Sequence, residues 1–102
     1  MGDPMFSTNA ERIARLALER RLPSVSGFYS DEGILLAYGS NFEELHRRAA
    51  VYVDRILKGA KPADLPVERP TRFELIINVK TAKALGITIP PALAARADRL
   101  VQ

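Results

Sequence analysis

The chain has 102 residues, 47% of them hydrophobic and 26% charged, with 15 Lys and Arg against 12 Asp and Glu for a formal charge of +3. That length supports one domain with a modest core, and the composition excludes both a disordered chain and a membrane-spanning one. Zero Cys excludes disulfides, thiolate catalysis and Cys-based zinc sites together.

The basic residues are scattered, with short pairs only at Arg20-Arg21 and Arg47-Arg48. A nucleic-acid surface usually shows a denser basic patch interleaved with aromatics, so no nucleic-acid partner is expected. Met1-Gly2-Asp3-Pro4-Met5-Phe6 has no basic stretch followed by an apolar run, and no segment approaches the roughly 20 apolar residues of a membrane span. Taken as it stands, the sequence reads as a cytoplasmic polypeptide.

Thr8 with Glu11 three residues on reads as a capping box that opens an amphipathic helix to Arg21, with Ile13, Ala14, Ala17 and Leu18 among its apolar positions. Leu22-Pro23 ends it, because proline disfavours the α conformation in the residue before it. A short strand is expected over Ser24 to Phe28, a turn at Asp31-Glu32-Gly33, and a buried strand over Ile34 to Tyr38. Gly39-Ser40-Asn41 breaks that strand.

Asn41 with Glu44 offers a helix N-cap and an acidic first turn, and Phe42, Leu45, Ala49, Tyr52, Val53 and Ile56 then recur at helical spacing up to Lys58. Gly59 stops the helix. Residues 60–70 carry three prolines and read as an extended surface connector. Phe73 to Val79 reads as a strand, Lys80 to Leu85 as a short helix closed by Gly86, and Pro91 to Leu100 as a last helix. The resulting order of helix, strand, strand, helix, strand, helix, helix predicts an α/β layered fold with mainly parallel strands.

Catalytic chemistry finds little to work with. His46 is the only histidine and has no companion at zinc-ligand spacing. No serine sits in a G-x-S-x-G elbow, and no G-x-G-x-x-G or G-x-x-x-x-G-K-[ST] loop occurs, so neither a triad nor a phosphate-cradling loop is expected. The carboxylate pairs Asp31-Glu32 and Glu43-Glu44 are explained by a turn and a helix start. The sequence predicts a non-enzyme without cofactor or metal. One segment remains as a candidate site: Tyr38-Gly39-Ser40-Asn41, where a strand end runs into a helix N-terminus able to offer N–H donors to a carboxylate, although a capped turn alone explains it equally well.

Tyr38-Gly39, the connector Lys61-Pro62-Ala63-Asp64-Leu65-Pro66-Val67-Glu68, and Asn78-Val79-Lys80-Thr81-Ala82-Lys83-Ala84-Leu85-Gly86-Ile87-Thr88-Ile89-Pro90 together resemble the C-terminal portion of ABC-transporter substrate-binding proteins. The resemblance is to the group with a periplasmic-binding-protein type I fold that includes tryptophan/tyrosine-import-like proteins. Such proteins are about three times this length, with two α/β lobes that close on a small ligand such as an amino acid. The resemblance implies a partial, Rossmann-like lobe in a single domain over residues 1–102. Residues 1–38 would be second-lobe-like, 39–59 a crossover and a first-lobe-like helix, and 60–102 the connector and return to the second lobe.

It further implies a non-catalytic solute-binding component, an ABC permease as partner and a periplasmic location. Asp3, Phe6, Phe28, Tyr38 and Asn41 become the expected ligand-facing residues, with Asp3-Pro4-Met5-Phe6 resembling the loop after a strand. Because so much of both lobes would be missing, exposed strand edges and apolar faces predict a homo-oligomer such as a dimer, with the Asn41 to Lys58 helix exchanged between copies. The alternative is an orphan cytoplasmic oligomer with a structural or interaction role and no ligand.

Overall fold

The computed structural model describes residues 3–27 and 33–102. Its elements are α1 (Pro4–Thr8), α2 (Ala10–Glu19), β1 (Val25–Ser26), β2 (Leu36–Ser40), α3 (Phe42–Leu57), a 3-10 turn (Pro62–Asp64), β3 (Phe73–Asn78), α4 (Val79–Leu85), α5 (Pro91–Ala94) and β4 (Arg99–Val101). The strands form one sheet in the order β1-β2-β3-β4. β1 and β2 run parallel with Val25 opposite Leu36, and β3 and β4 run parallel with Ile77 opposite Leu100. The α/β class with mainly parallel strands is as the sequence predicts.

The chain divides into two compact units, residues 1–39 with 74–102, and residues 40–73. The first unit holds the buried core: Ala14 from α2, Ile34 and Leu35 ahead of β2, Ala37 within it, Ile77 from β3 and Ala82 from α4. Ile77 is fully shielded from water, and burial of such a side chain contributes about 1.5–3 kcal/mol. Asn78 is buried beside it, where its side-chain Oδ1 accepts the Thr81 N–H at 2.9 Å and caps α4. Gly86 ends α4 in the left-handed region at φ 72°, a conformation that costs glycine little.

Several sequence expectations are corrected. Asp3 to Phe6 is not a loop: Asp3 Oδ1 accepts the Met5 N–H at 2.8 Å, and Pro4 begins α1 with its fixed φ and no N–H to satisfy. Thr8 is the last residue of α1 and caps nothing; α2 starts after Asn9, whose side-chain amide instead donates back to the Met5 carbonyl at 2.8 Å. The second strand begins at Leu36, because the N–H groups of Leu35 and Leu36 both go to the Ser24 carbonyl, and it runs on through Gly39 and Ser40. The first strand covers only Val25–Ser26, and its expected end at Phe28 and the Asp31-Glu32 turn lie outside the described residues.

The last helix is the largest departure. It stops at Ala94, and Arg99–Val101 forms an edge strand in place of its second half. Asp98 explains the switch: its N–H donates to the Leu75 carbonyl at 2.8 Å, and its carboxylate accepts the Leu75 N–H at 2.8 Å. Both bonds clamp the entry of β4 to β3, and the ladder overrides the helical preference of Ala94-Ala95-Arg96-Ala97.

In the second unit, α3 follows its sequence signal. Asn41 Oδ1 accepts the Glu44 N–H at 2.9 Å, Glu43 and Glu44 sit in the positive first turn, and Arg55 sits in the last. Arg47 pairs with Glu43 and Lys58 with Asp54, both one turn apart.

Candidate functional site

Of the five ligand-facing expectations, Asp3 and Phe6 share α1, where Asp3 is engaged as the helix cap and Phe6 is half exposed. Tyr38 stands on β2 with its ring largely exposed. Asn41 opens α3 in the other unit, its amide oxygen committed to the cap. Phe28 lies outside the described residues.

Sequence reading missed a groove of about 650 Å³ in the second unit. One wall is the side of α3 that presents Asn41, Glu44, Leu45, Arg48, Ala49 and Tyr52, and the other is the connector from Glu68 to Arg72. The connector is held there by two contacts. The Arg48 guanidinium donates from two nitrogens to both carboxylate oxygens of Glu68, the Nε bond being 2.9 Å, and the Tyr52 hydroxyl donates to the Pro66 carbonyl. The fork geometry of arginine matches a carboxylate in this way, where lysine could offer only a point charge.

Electrostatics follow from that clamp. The hydrogen bond and charge of Arg48 hold the Glu68 carboxyl below its ordinary pKa, and Glu68 in turn raises that of Arg48. Partial loss of water pushes the Tyr52 phenol up, with the Glu68 charge adding to the effect. Both partners of the ion pair remain exposed at the side chain, so its contribution is to geometry more than to stability. A sequence signal did exist: Arg48 and Tyr52 are one turn apart on α3, and Glu68 is the lone carboxylate between Pro66 and Pro70.

The groove offers both charges, amide and hydroxyl groups, and an apolar floor at Leu45 and Ala49. His46 is exposed and its Nδ1 lies 2.6 Å from the Phe42 carbonyl, which can only accept, so that nitrogen carries the proton. Among the described residues no group of three His, Cys, Asp or Glu is placed to hold a metal ion, and no helix is long and apolar enough to cross a membrane.

The sheet pairs its strands in parallel, and helices follow directly from strand ends through Asn41 and Asn78. The family described as ABC transporter substrate binding protein matches residues 2–101, and the chain belongs to it. A conserved domain protein of Vibrio cholerae O1 biovar El Tor is similar at 30% identity and a TM-score of 0.88, with 96% of this chain and 34% of that one covered. The ABC domain of Streptococcus pneumoniae solved in complex with L-Trp is similar at 25% identity and a TM-score of 0.83, over 97% of this chain and 35% of that one. A substrate-binding protein with adhesive properties from Clostridium difficile, in its ligand-free open form, shares the fold at 24% identity and a TM-score of 0.60, over 98% of this chain and 34% of that one. The chain thus spans about a third of the length of these structures. No curated protein matches it.

Proposed function

We propose that this chain supplies part of the solute-binding component of an ABC importer for a small molecule such as an amino acid, and that it performs no catalysis of its own. Family membership across residues 2–101 is the observation that carries this reading. The pneumococcal structure that binds L-Trp supports the ligand class. On this reading the protein works outside the cytoplasm and delivers its ligand to an ABC permease.

Residues 1–38 then belong to the second lobe, 39–59 to the crossover and a first-lobe helix, and 60–102 to the return. The separate compactness of residues 40–73 supports a change of lobe near Gly39 and again near Phe73. Asp3, Phe6, Phe28, Tyr38 and Asn41 face the ligand. Tyr38 has the exposed ring that such a role needs. The chain also associates with itself.

A second reading, an oligomer with a structural role and no ligand, is favoured by the apolar groups left in water: Val67 is 97% and Leu57 81% exposed. One titration separates the two. The chain has no Trp, so the fluorescence anisotropy of added L-Trp reports binding without background. A saturable rise supports the solute-binding reading; a flat trace here, together with no thermal shift from any other amino acid, supports the structural one.

A further inference from the structure

Ala92, Leu93, Ala94, Ala95, Arg96 and Ala97 all stand at the favourable end of helix propensity, yet α5 ends at Ala94. The backbone follows the local preference past that point. Ala95 keeps right-handed helical angles at φ -66° and ψ -23°, and its N–H is donated to the Pro91 carbonyl at 2.9 Å. The N–H groups of Arg96 and Ala97 then reach back three residues, to Leu93 at 3.1 Å and to Ala94 at 3.2 Å, so the coil tightens without unwinding.

It unwinds at Asp98. In a continued helix the Asp98 N–H would go to the Ala94 carbonyl. Here it goes to the Leu75 carbonyl at 2.8 Å, and the Asp98 carboxylate accepts the Leu75 N–H at 2.8 Å. β4 adds three ladder positions, opposite Ile76, Ile77 and Asn78, and gains little by burial, since Arg99 and Leu100 stay exposed. The strand arrangement therefore leans on Asp98. The same residue opposes the helical one, because a carboxylate in the last turn meets the negative end of the helix dipole and aspartate is among the weaker helix formers. Arg96 and Arg99 would suit that end of a helix.

We propose that residues 95–101 are a two-state segment, either ending in strand β4 or continuing α5, and that Asp98 sets the balance. Neither state strands the backbone donors: a helix to Val101 would offer the N–H groups of residues 98–101 the carbonyls of residues 94–97. β4 is then a strap on the sheet, and its release bares the outer edge of β3 from Ile76 to Asn78, the residue that caps α4. β3, α5 and β4 all lie in the first compact unit, so the balance involves neither α3 nor the groove, and it holds whether or not the chain takes a solute.

Carbon-13 NMR of the 102-residue chain tests it, because Cα shifts fall on opposite sides of the random-coil value in strand and helix. In the unaltered chain residues 99–101 give strand shifts. Asp98→Ala removes the clamp and the misplaced charge together and supplies the best helix former, so the shifts of residues 96–101 move to the helical side while those of α2 and β2 stay in place. Asp98→Asn keeps an oxygen for the Leu75 N–H and keeps the strand shifts. A folded Asp98→Ala chain whose segment stays on the strand side, or falls to random-coil values, overturns the proposal. Should Asp98→Ala not fold, saturation-transfer NMR on the unaltered chain decides: a minor state of residues 95–101 with helical Cα shifts, at a population of about 0.1–10%, upholds it, and the absence of that state overturns it.

Discussion

Gly39 on β2 stands so close to Gly27 that a Cβ added to it would lie 2.1 Å from the Gly27 carbonyl oxygen. The obstacle is backbone within a parallel strand pair, where Ser26 already faces Ala37. Gly39→Ala must therefore push β1 off β2. Overpacking of this kind costs about 1–3 kcal/mol, and the thermal midpoint should fall by several degrees. Gly27→Ala is the control, since a Cβ there meets nothing within 4 Å. An unchanged midpoint for Gly39→Ala would contradict the strand pairing.

Asn78→Ala should cost about 1–2 kcal/mol, because it removes the cap of α4 and strands the Thr81 N–H in a buried place. Urea unfolding reads the loss as a lower midpoint at constant slope. Asn78→Asp, which keeps the accepting oxygen but buries a charge, should fall short of the parent as well.

Arg21, just past the C-cap Arg20 of α2, takes φ 54°, with its N–H donated to the Leu18 carbonyl and that of Leu22 to the Ala17 carbonyl. Glycine adopts this conformation without the clash that a side chain brings. Arg21→Gly should stabilise the chain by about 0.5–1 kcal/mol, seen as a higher thermal midpoint.

These contrasts mark what the sequence could disclose. Elements set by local chemistry were legible: Asn41 and its acidic turn announce α3, and Gly86 announces the end of α4. Elements set by distant partners were not. Arg99–Val101 is a strand because Asp98 and Leu75, 23 residues apart, exchange hydrogen bonds, and nothing near Arg99 signals that. The groove was hidden likewise, since Arg48 and Glu68 are separated by 20 residues and meet only once the connector folds back. Of the expected site residues, Asp3 falls in a loop by the family resemblance, and the short helix it caps has no apolar periodicity of its own to signal otherwise.

The Arg48–Glu68 clamp carries a pH dependence with a definite sign. Glu68 has a folded pKa below its unfolded value, so its contribution is present above the unfolded value and is lost as pH falls through the folded one. Tyr52 has a raised folded pKa, so its contribution holds below the unfolded phenol value and is lost as pH rises through the folded one. The clamp is therefore whole at neutral pH and opens in strong acid or strong base. Carboxyl carbon NMR should show Glu68 titrating below the ordinary glutamate range, and Arg48→Ala should return it there. A Glu68 that titrates normally in the parent chain would mean the clamp is absent in solution.

Whether this member of the substrate-binding family takes a small molecule such as an amino acid is read from thermal denaturation of the chain against the amino acids one at a time. A ligand at about a hundred times its Kd adds about 2.7 kcal/mol to the folded state. A clear, saturable rise in midpoint is expected for at least one of them, diminished in Tyr38→Ala. A folded chain whose midpoint moves with none of them contradicts it.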